Sequence, residues 1–177
     1  MRKLYKKKIH NARVKGALFR LLPFLAFCGV IWYSSSLTYD QQSLIPFLNI
    51  FLSEKELLIG FLDGIEFSYG GSIVSISASG YAGFIEFFLR KFAHLSIFFM
   101  IGLFLGSFLF YFIQKLWLSS LFTLLFIVLF AALDEYRQYL TGGRTPLMED
   151  VFLDTIGGTA AIITYCIYRI NKKKKDR

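Results

Sequence analysis

The sequence predicts an all-α integral membrane protein of four transmembrane helices. Three observations carry this. The chain has 177 residues, is 55% hydrophobic and has a mean hydropathy of +0.54, more apolar sequence than a soluble core of this size needs. Twenty-one phenylalanines suit surfaces that face lipid. The basic residues gather in two terminal clusters, Arg2-Lys3-Leu4-Tyr5-Lys6-Lys7-Lys8 and Lys172 to Lys175 with Arg177, beside apolar runs. Clusters so placed report topology and attraction to anionic lipid, so the net charge of +8 does not point to nucleic acid.

The first span runs about 21–37, after a basic head (1–20). It is short against the roughly 20 residues that cross a bilayer. Ser34-Ser35-Ser36 could follow the apolar core of a cleaved signal peptide. An uncleaved helix is the better reading, because cleavage would leave an odd number of spans. Residues 38–85 form a long loop. Within it Leu44 to Phe51 is apolar and suited to the interface. Glu66 to Ile76 alternates around Gly70-Gly71, the pattern of a small β-hairpin.

The second helix is expected to begin near Gly83, with its membrane part at about 92–113. Glu86 and Arg90 stand i,i+4 in the favourable order. Gln114-Lys115 make a tight turn into a third helix of about 116–140, whose membrane part ends near 133. Gly142-Gly143 stop it. Thr145 as a cap and Pro146 at the first helical position start the fourth, whose span is about 151–170. Residues 171–177 are a second basic tail, and 21–170 form one membrane domain. Cys28 and Cys166 lie inside apolar runs and read as packing residues.

Orientation follows from Lys and Arg counted by side. With both ends inside, the cytoplasm receives Arg2, Lys3, Lys6, Lys7, Lys8, Arg13, Lys15, Arg20, Lys115, Arg169, Lys172 to Lys175 and Arg177, fifteen in all. Five fall outside: Lys55, Arg90, Lys91, Arg137 and Arg144. The imbalance predicts N-in/C-in and makes 38–85 extracytoplasmic.

The informative polar residues are those that topology does not require. Arg90, Lys91 and His94 share one face at the start of the second membrane segment. Alone, each suits a structural role, snorkelling for Arg90 and Lys91 or packing for His94, as well as a functional one; as a cluster on the side that positive charge avoids, they point to function. Asp134, Glu135 and Gln138 stand at the end of the third helix, where acids meet the negative end of the macrodipole and need compensation. The available cations are Arg90, Lys91, Arg137 and Arg144. Asp150 and Asp154 share a face of the fourth helix, with Asp154 about 6 Å deeper. An unpaired acid costs on the order of 2–3 kcal/mol near the bilayer centre and less toward the surface, so such groups face inward and pair. Gly157-Gly158 suit a close helix approach at that level. Even spacing of the spans brings all these groups to the extracytoplasmic end, and so predicts a polar pocket there.

Three segments in register resemble the VanZ-like family of membrane proteins. Arg90-Lys91-Phe92-Ala93-His94 is similar to its Arg-Lys-x-x-His. Asp134-Glu135-Tyr136-Arg137-Gln138 is similar to its Asp-Glu-x-x-Gln. Gly143-Arg144 and Asp150-Val151-Phe152-Leu153-Asp154-Thr155-Ile156-Gly157 are similar to its Gly-Arg and Asp-Val-x-x-Asn-x-x-Gly. The likeness runs from about Ser34 into the fourth helix. Asp154 departs from it, standing where the family has Asn, and Thr141-Gly142 replaces a proline-containing approach to Gly-Arg. The resemblance implies a multi-pass protein of the bacterial cytoplasmic membrane. It also implies a link to susceptibility to glycopeptide antibiotics such as teicoplanin, through the family's namesake.

Several functions suit these residues. The first is recognition of an anionic lipid or lipid-linked cell-wall precursor, with Arg90, Lys91 and Arg144 on phosphate and Gln138, Asp150 and Asp154 completing the ligand site. The second is an enzyme on such lipids, with His94 as general base or nucleophile oriented by Asp134 or Glu135. Carboxylates could also hold a divalent cation, although no linear metal or nucleophile motif is present, so neither a metal nor a cofactor is expected. A small transporter or flippase, working as an oligomer, is a third reading. A scaffold without a ligand is the fourth.

Overall fold

The computed structural model describes residues 2–52, 59–141 and 146–176. In chain order it comprises α1 (Arg2–Ser34), α2 (Tyr39–Gln42), α3 (Ile45–Leu52), α4 (Ile59–Leu62), β1 (Phe67–Tyr69), β2 (Ser72–Val74), α5 (Ile76–Ile113), α6 (Leu116–Thr141) and α7 (Met148–Lys175). Among the described residues, four segments are long and apolar enough to cross a membrane: Val14–Ser34 of α1, and the whole of α5, α6 and α7. The all-α, four-helix architecture is therefore present, with one small sheet.

Helix α5 is the centre of the bundle and packs against α1, α6 and α7. The core joins Phe24 and Ile31 of α1, Phe98, Ile101 and Leu105 of α5, and Ile127 and Ala131 of α6. Ile31 is fully buried there, so α1 is an integral member of the bundle. In lipid, helices gain little from hiding apolar surface and associate by close packing instead. Glycines supply that closeness. A Cβ at Gly157 would overlap the backbone carbonyl of Leu95 on α5, and one at Gly158 would overlap the Ile127 side chain on α6. A Cβ at Gly102 would come within 2.9 Å of the Gly158 carbonyl oxygen. The close approach expected at Gly157-Gly158 thus involves two neighbouring helices.

The described parts of the loop after α1 form short elements at the end of the bundle. The apolar segment expected at Leu44 to Phe51 forms α3, seated against α5 with Leu48 buried. The hairpin expected from Glu66 to Ile76 is formed by β1 and β2, with Phe67 opposite Val74 and Tyr69 opposite Ser72. Gly70 and Gly71 have φ of 58° and 77°, the left-handed pair that a two-residue hairpin turn requires.

Two helix starts differ from expectation. Helix α5 begins at Ile76 rather than near Gly83, because β2 runs directly into a cap. The Ser75 hydroxyl accepts from the Ala78 N–H at 3.2 Å. Gly80 then breaks the helix with φ 71° and ψ 167°, a conformation that glycine alone adopts at little cost. Helix α7 begins at Met148, not Pro146, with extended Leu147 at its cap position. Leucine has no capping side chain. Its N–H donates instead to Glu135 Oε1 of α6 at 2.8 Å, a partner from another helix. Thr145, the expected cap, lies outside the described residues, as do Gly142 and Gly143, although α6 does end at Thr141.

At the opposite end of the bundle, Gln114 closes α5 in the left-handed conformation (φ 59°), its N–H donating to the Phe110 carbonyl. This is the tight turn expected at Gln114-Lys115.

Candidate functional site

The first membrane turns of α5, the last turns of α6 and the first turns of α7 meet at the hairpin end of the bundle. A cavity of about 390 Å³ opens between them. Arg90, Lys91, His94, Glu135, Gln138, Asp150 and Asp154 all line it. Asp134 is buried directly behind this wall, with a carboxylate oxygen within 4.8 Å of donor atoms of His94 and Asp154. Eight of the nine residues singled out in the sequence thus converge. The ninth, Arg144, lies outside the described residues.

Each cation stands on an aromatic ring. The Arg90 guanidinium lies 4.7 Å from the centroid of Tyr39, and Lys91 Nζ lies 4.5 Å from that of Tyr69. Lys91 also donates to Asp150 Oδ1. Arg90 is held more loosely, donating to Gln42 Oε1 at 3.5 Å and standing 3.8 Å from Glu86 Oε1.

The acids are engaged within the protein. Glu86 is only 1% exposed, and its carboxylate accepts from the Leu44 N–H at 3.1 Å and the Ser43 hydroxyl at 3.3 Å. It thereby ties the start of α3 to α5. Glu135 accepts from Leu147 N–H. Asp134 accepts from the Ser35 hydroxyl of α1 and from Gln138 Nε2, the latter at 2.8 Å. Asp150 Oδ1 accepts from both Lys91 and the Tyr69 hydroxyl, the latter at 2.5 Å. Burial first, and then the adjacent Asp150 carboxylate, push the Tyr69 phenol well above its ordinary range.

His94 Nδ1 lies 3.4 Å from Asp154 Oδ2. Asp154 is therefore the acid in direct contact with the imidazole, whereas the sequence suggested Asp134 or Glu135 as its orienter. Asp134 remains in the same cluster. Glu135 points instead to the start of α7. The difference arises because Gly157 seats α7 against α5, bringing Asp154 opposite His94.

Arg137, counted as a possible partner for the α6 acids, turns to α1. It donates to the Trp32 carbonyl at 2.7 Å and to the Ser36 hydroxyl, with its guanidinium 3.6 Å from the Trp32 ring centroid.

Four contributors escaped sequence reasoning. Glu86 was legible only as the helical partner of Arg90. Ser35 sits in a serine run that resembles a cleavage region, and nothing local marks it as the donor to Asp134. Tyr39 and Tyr69 lie in the loop, and only the hairpin alternation hinted that Tyr69 faces inward.

This fold and this site define a polytopic α-helical membrane protein with a charged cavity at one end of its bundle. The chain belongs to the VanZ/LLP1 family, whose model matches residues 19–169 and so encloses every residue of the site. No curated protein and no solved structure matches the chain.

Proposed function

We propose that this VanZ-like membrane protein recognises the anionic headgroup of a membrane lipid or lipid-linked cell-wall precursor, and acts in envelope chemistry or susceptibility to glycopeptide-type antibiotics. The observation that carries this reading is the pair Arg90 and Lys91 lining one cavity, each backed by an aromatic ring. Arg90 is the critical group. Its planar fork suits a phosphate, and its protein contacts are long, at 3.5 Å and 3.8 Å. The acids in the wall do not preclude an anion, because Glu86, Glu135, Asp150 and Asp154 each already face an N–H, a hydroxyl, a lysine or an imidazole. The cavity volume is in the range of small-ligand sites. With both termini in the cytoplasm, as the charge imbalance implies, the cavity faces the extracytoplasmic leaflet of the bacterial cytoplasmic membrane.

The test is native mass spectrometry of the full chain in detergent, offered a polyprenyl phosphate, phosphatidylglycerol and phosphatidylcholine. Selective retention of the phosphomonoester or anionic lipid, falling at least about tenfold in Arg90→Ala plus Lys91→Ala, is expected. Equal retention of all three lipids, or unchanged retention in the double variant, rejects the reading.

A second reading is an enzyme on the same lipids, and the His94–Asp154 contact favours it. An imidazole oriented by a carboxylate beside a cavity is the arrangement of a general base. Turnover of a lipid phosphate by purified protein, lost in His94→Ala while lipid retention persists, would separate it from simple recognition.

A further inference from the structure

His94 of α5, Asp134 of α6 and Asp154 of α7 each present one donor atom, and the three atoms lie within 4.8 Å of one another. Two carboxylates this close in a desolvated place repel unless positive charge stands beside them. Among the described residues, the fixed cations nearby face elsewhere. Lys91 is on Asp150, Arg90 leans toward Glu86 and Gln42, and Arg137 is on Trp32 and Ser36. Asp154 is 3% exposed, and its Oδ1 is buried with no hydrogen-bond partner. A buried carboxylate oxygen left in that state carries a large desolvation cost, which a bound cation would remove. Asp134, by contrast, is held by Ser35 and Gln138. Outer contacts of that kind orient a metal-binding carboxylate.

We propose that His94, Asp134 and Asp154 bind one divalent transition-metal ion, zinc first among them, in the wall of the cavity. The donor set selects this class. An imidazole nitrogen favours zinc and its neighbours over magnesium or calcium, and two carboxylates with a neutral imidazole balance a double positive charge. Tetrahedral zinc with bonds of about 2.0–2.2 Å holds its ligand atoms about 3.3–3.6 Å apart, so donor atoms up to 4.8 Å apart must close by up to about 1.5 Å. Side-chain rotation supplies that. Three protein ligands leave a fourth position open, and His94 and Asp154 both line the cavity, so that position faces it. Asp154 stands where the resembled family pattern has a neutral Asn, so the second negative charge comes from this chain's own residue. The site rests on these three donors and not on headgroup recognition, and its test involves no lipid selectivity.

The full chain, purified in detergent, is stripped with chelator, dialysed against zinc chloride and assayed by elemental mass spectrometry. The same stripped protein is titrated with cobalt and followed by its visible absorption. The expected result is one zinc per chain and cobalt bands of a low-coordinate site with nitrogen and oxygen ligands. His94→Ala and Asp154→Asn should each weaken binding by more than the roughly 10–100-fold that loss of an outer contact costs, and Ser35→Ala by about that outer-contact amount. Glu149→Gln, an exposed acid outside the cluster, should keep the full equivalent. No stoichiometric zinc in the native chain overturns the site, as does a full equivalent held with unchanged affinity by both His94→Ala and Asp154→Asn. Should either donor variant fail to fold, Ser35→Ala decides: weakened zinc binding upholds the site, and unchanged affinity overturns it.

Discussion

Tyr69 and Lys91 share one acceptor: the tyrosine hydroxyl and the lysine ammonium both donate to Oδ1 of Asp150, while the ammonium lies over the tyrosine ring. Through that oxygen the β-hairpin, α5 and α7 are tied into one corner of the cavity.

Tyr69→Phe keeps the ring and removes one of these bonds. We expect a loss of about 1 kcal/mol in the docking of the hairpin. Hydrogen exchange at 67–74 would read it as faster exchange confined to the two strands. Unchanged protection there would mean that the aromatic contacts alone dock the hairpin.

The same phenol predicts a pH effect. Its pKa is raised by burial and by Asp150, so the folded state holds the proton more tightly than the unfolded one. The resulting stability is fully present below the ordinary tyrosine value of 10 and is lost as the pH climbs above it. Alkaline unfolding of the native chain should therefore bring its stability closer to that of Tyr69→Phe. A constant gap between the two above pH 10 contradicts the assignment.

Glu86→Ala removes a buried acceptor from the Leu44 N–H and the Ser43 hydroxyl and leaves Arg90 without its carboxylate. The expected loss is about 1–3 kcal/mol in thermal unfolding in detergent, with α3 released from α5. Glu86→Gln keeps an acceptor for the Leu44 N–H, and its Nε2 can donate to the Ser43 hydroxyl oxygen in a reversed bond, so it should lose less. Equal losses would make the charge, not the acceptor, the important property.

Gly157→Ala and Gly158→Ala are expected to differ. The first pushes a methyl into the backbone of Leu95, which cannot rotate away, whereas the second meets a side chain, Ile127, whose outer carbon can turn about χ2. Overpacking costs typically about 1–3 kcal/mol, and Gly157→Ala should lie at the high end of that range. A milder effect at 157 than at 158 would show that α7 shifts more freely than its contacts suggest.

Orientation can be read chemically. Ser72→Cys lies on the exposed face of β2, and Lys115→Cys in the turn at the other end of the bundle. With both termini cytoplasmic, a membrane-impermeant maleimide applied to cells lacking an outer membrane, or to spheroplasts, should label the first and not the second. The reverse pattern inverts the proposed topology.

Much of the fold was legible because a bilayer constrains it so strongly. Apolar length reads as a span, and Gly70-Gly71 between alternating residues reads as a turn. The site was legible in part for the same reason, since charges in apolar helices are few and visible. The pairing was not. Which acid meets His94 depends on how closely α7 seats on α5, and that is set by Gly157 against a backbone atom far along the chain. Likewise the start of α7 depends on Glu135 reaching across from α6, so no residue near Leu147 announces it. Local reasoning instead offered Thr145 and Pro146.

The contact between α5 and α7 at Gly157 is made without an intervening side chain, so the gap between these helices behaves as a rigid spacer. Helix α6 meets α7 differently, through the buried side chain of Ile127 and not through backbone. A guest of different girth would therefore be accommodated by the side chains that line the cavity and by the hairpin corner. Substitutions at Leu153, which lines the cavity, should alter which molecules fit while leaving the spacing of His94 and Asp154 as it is.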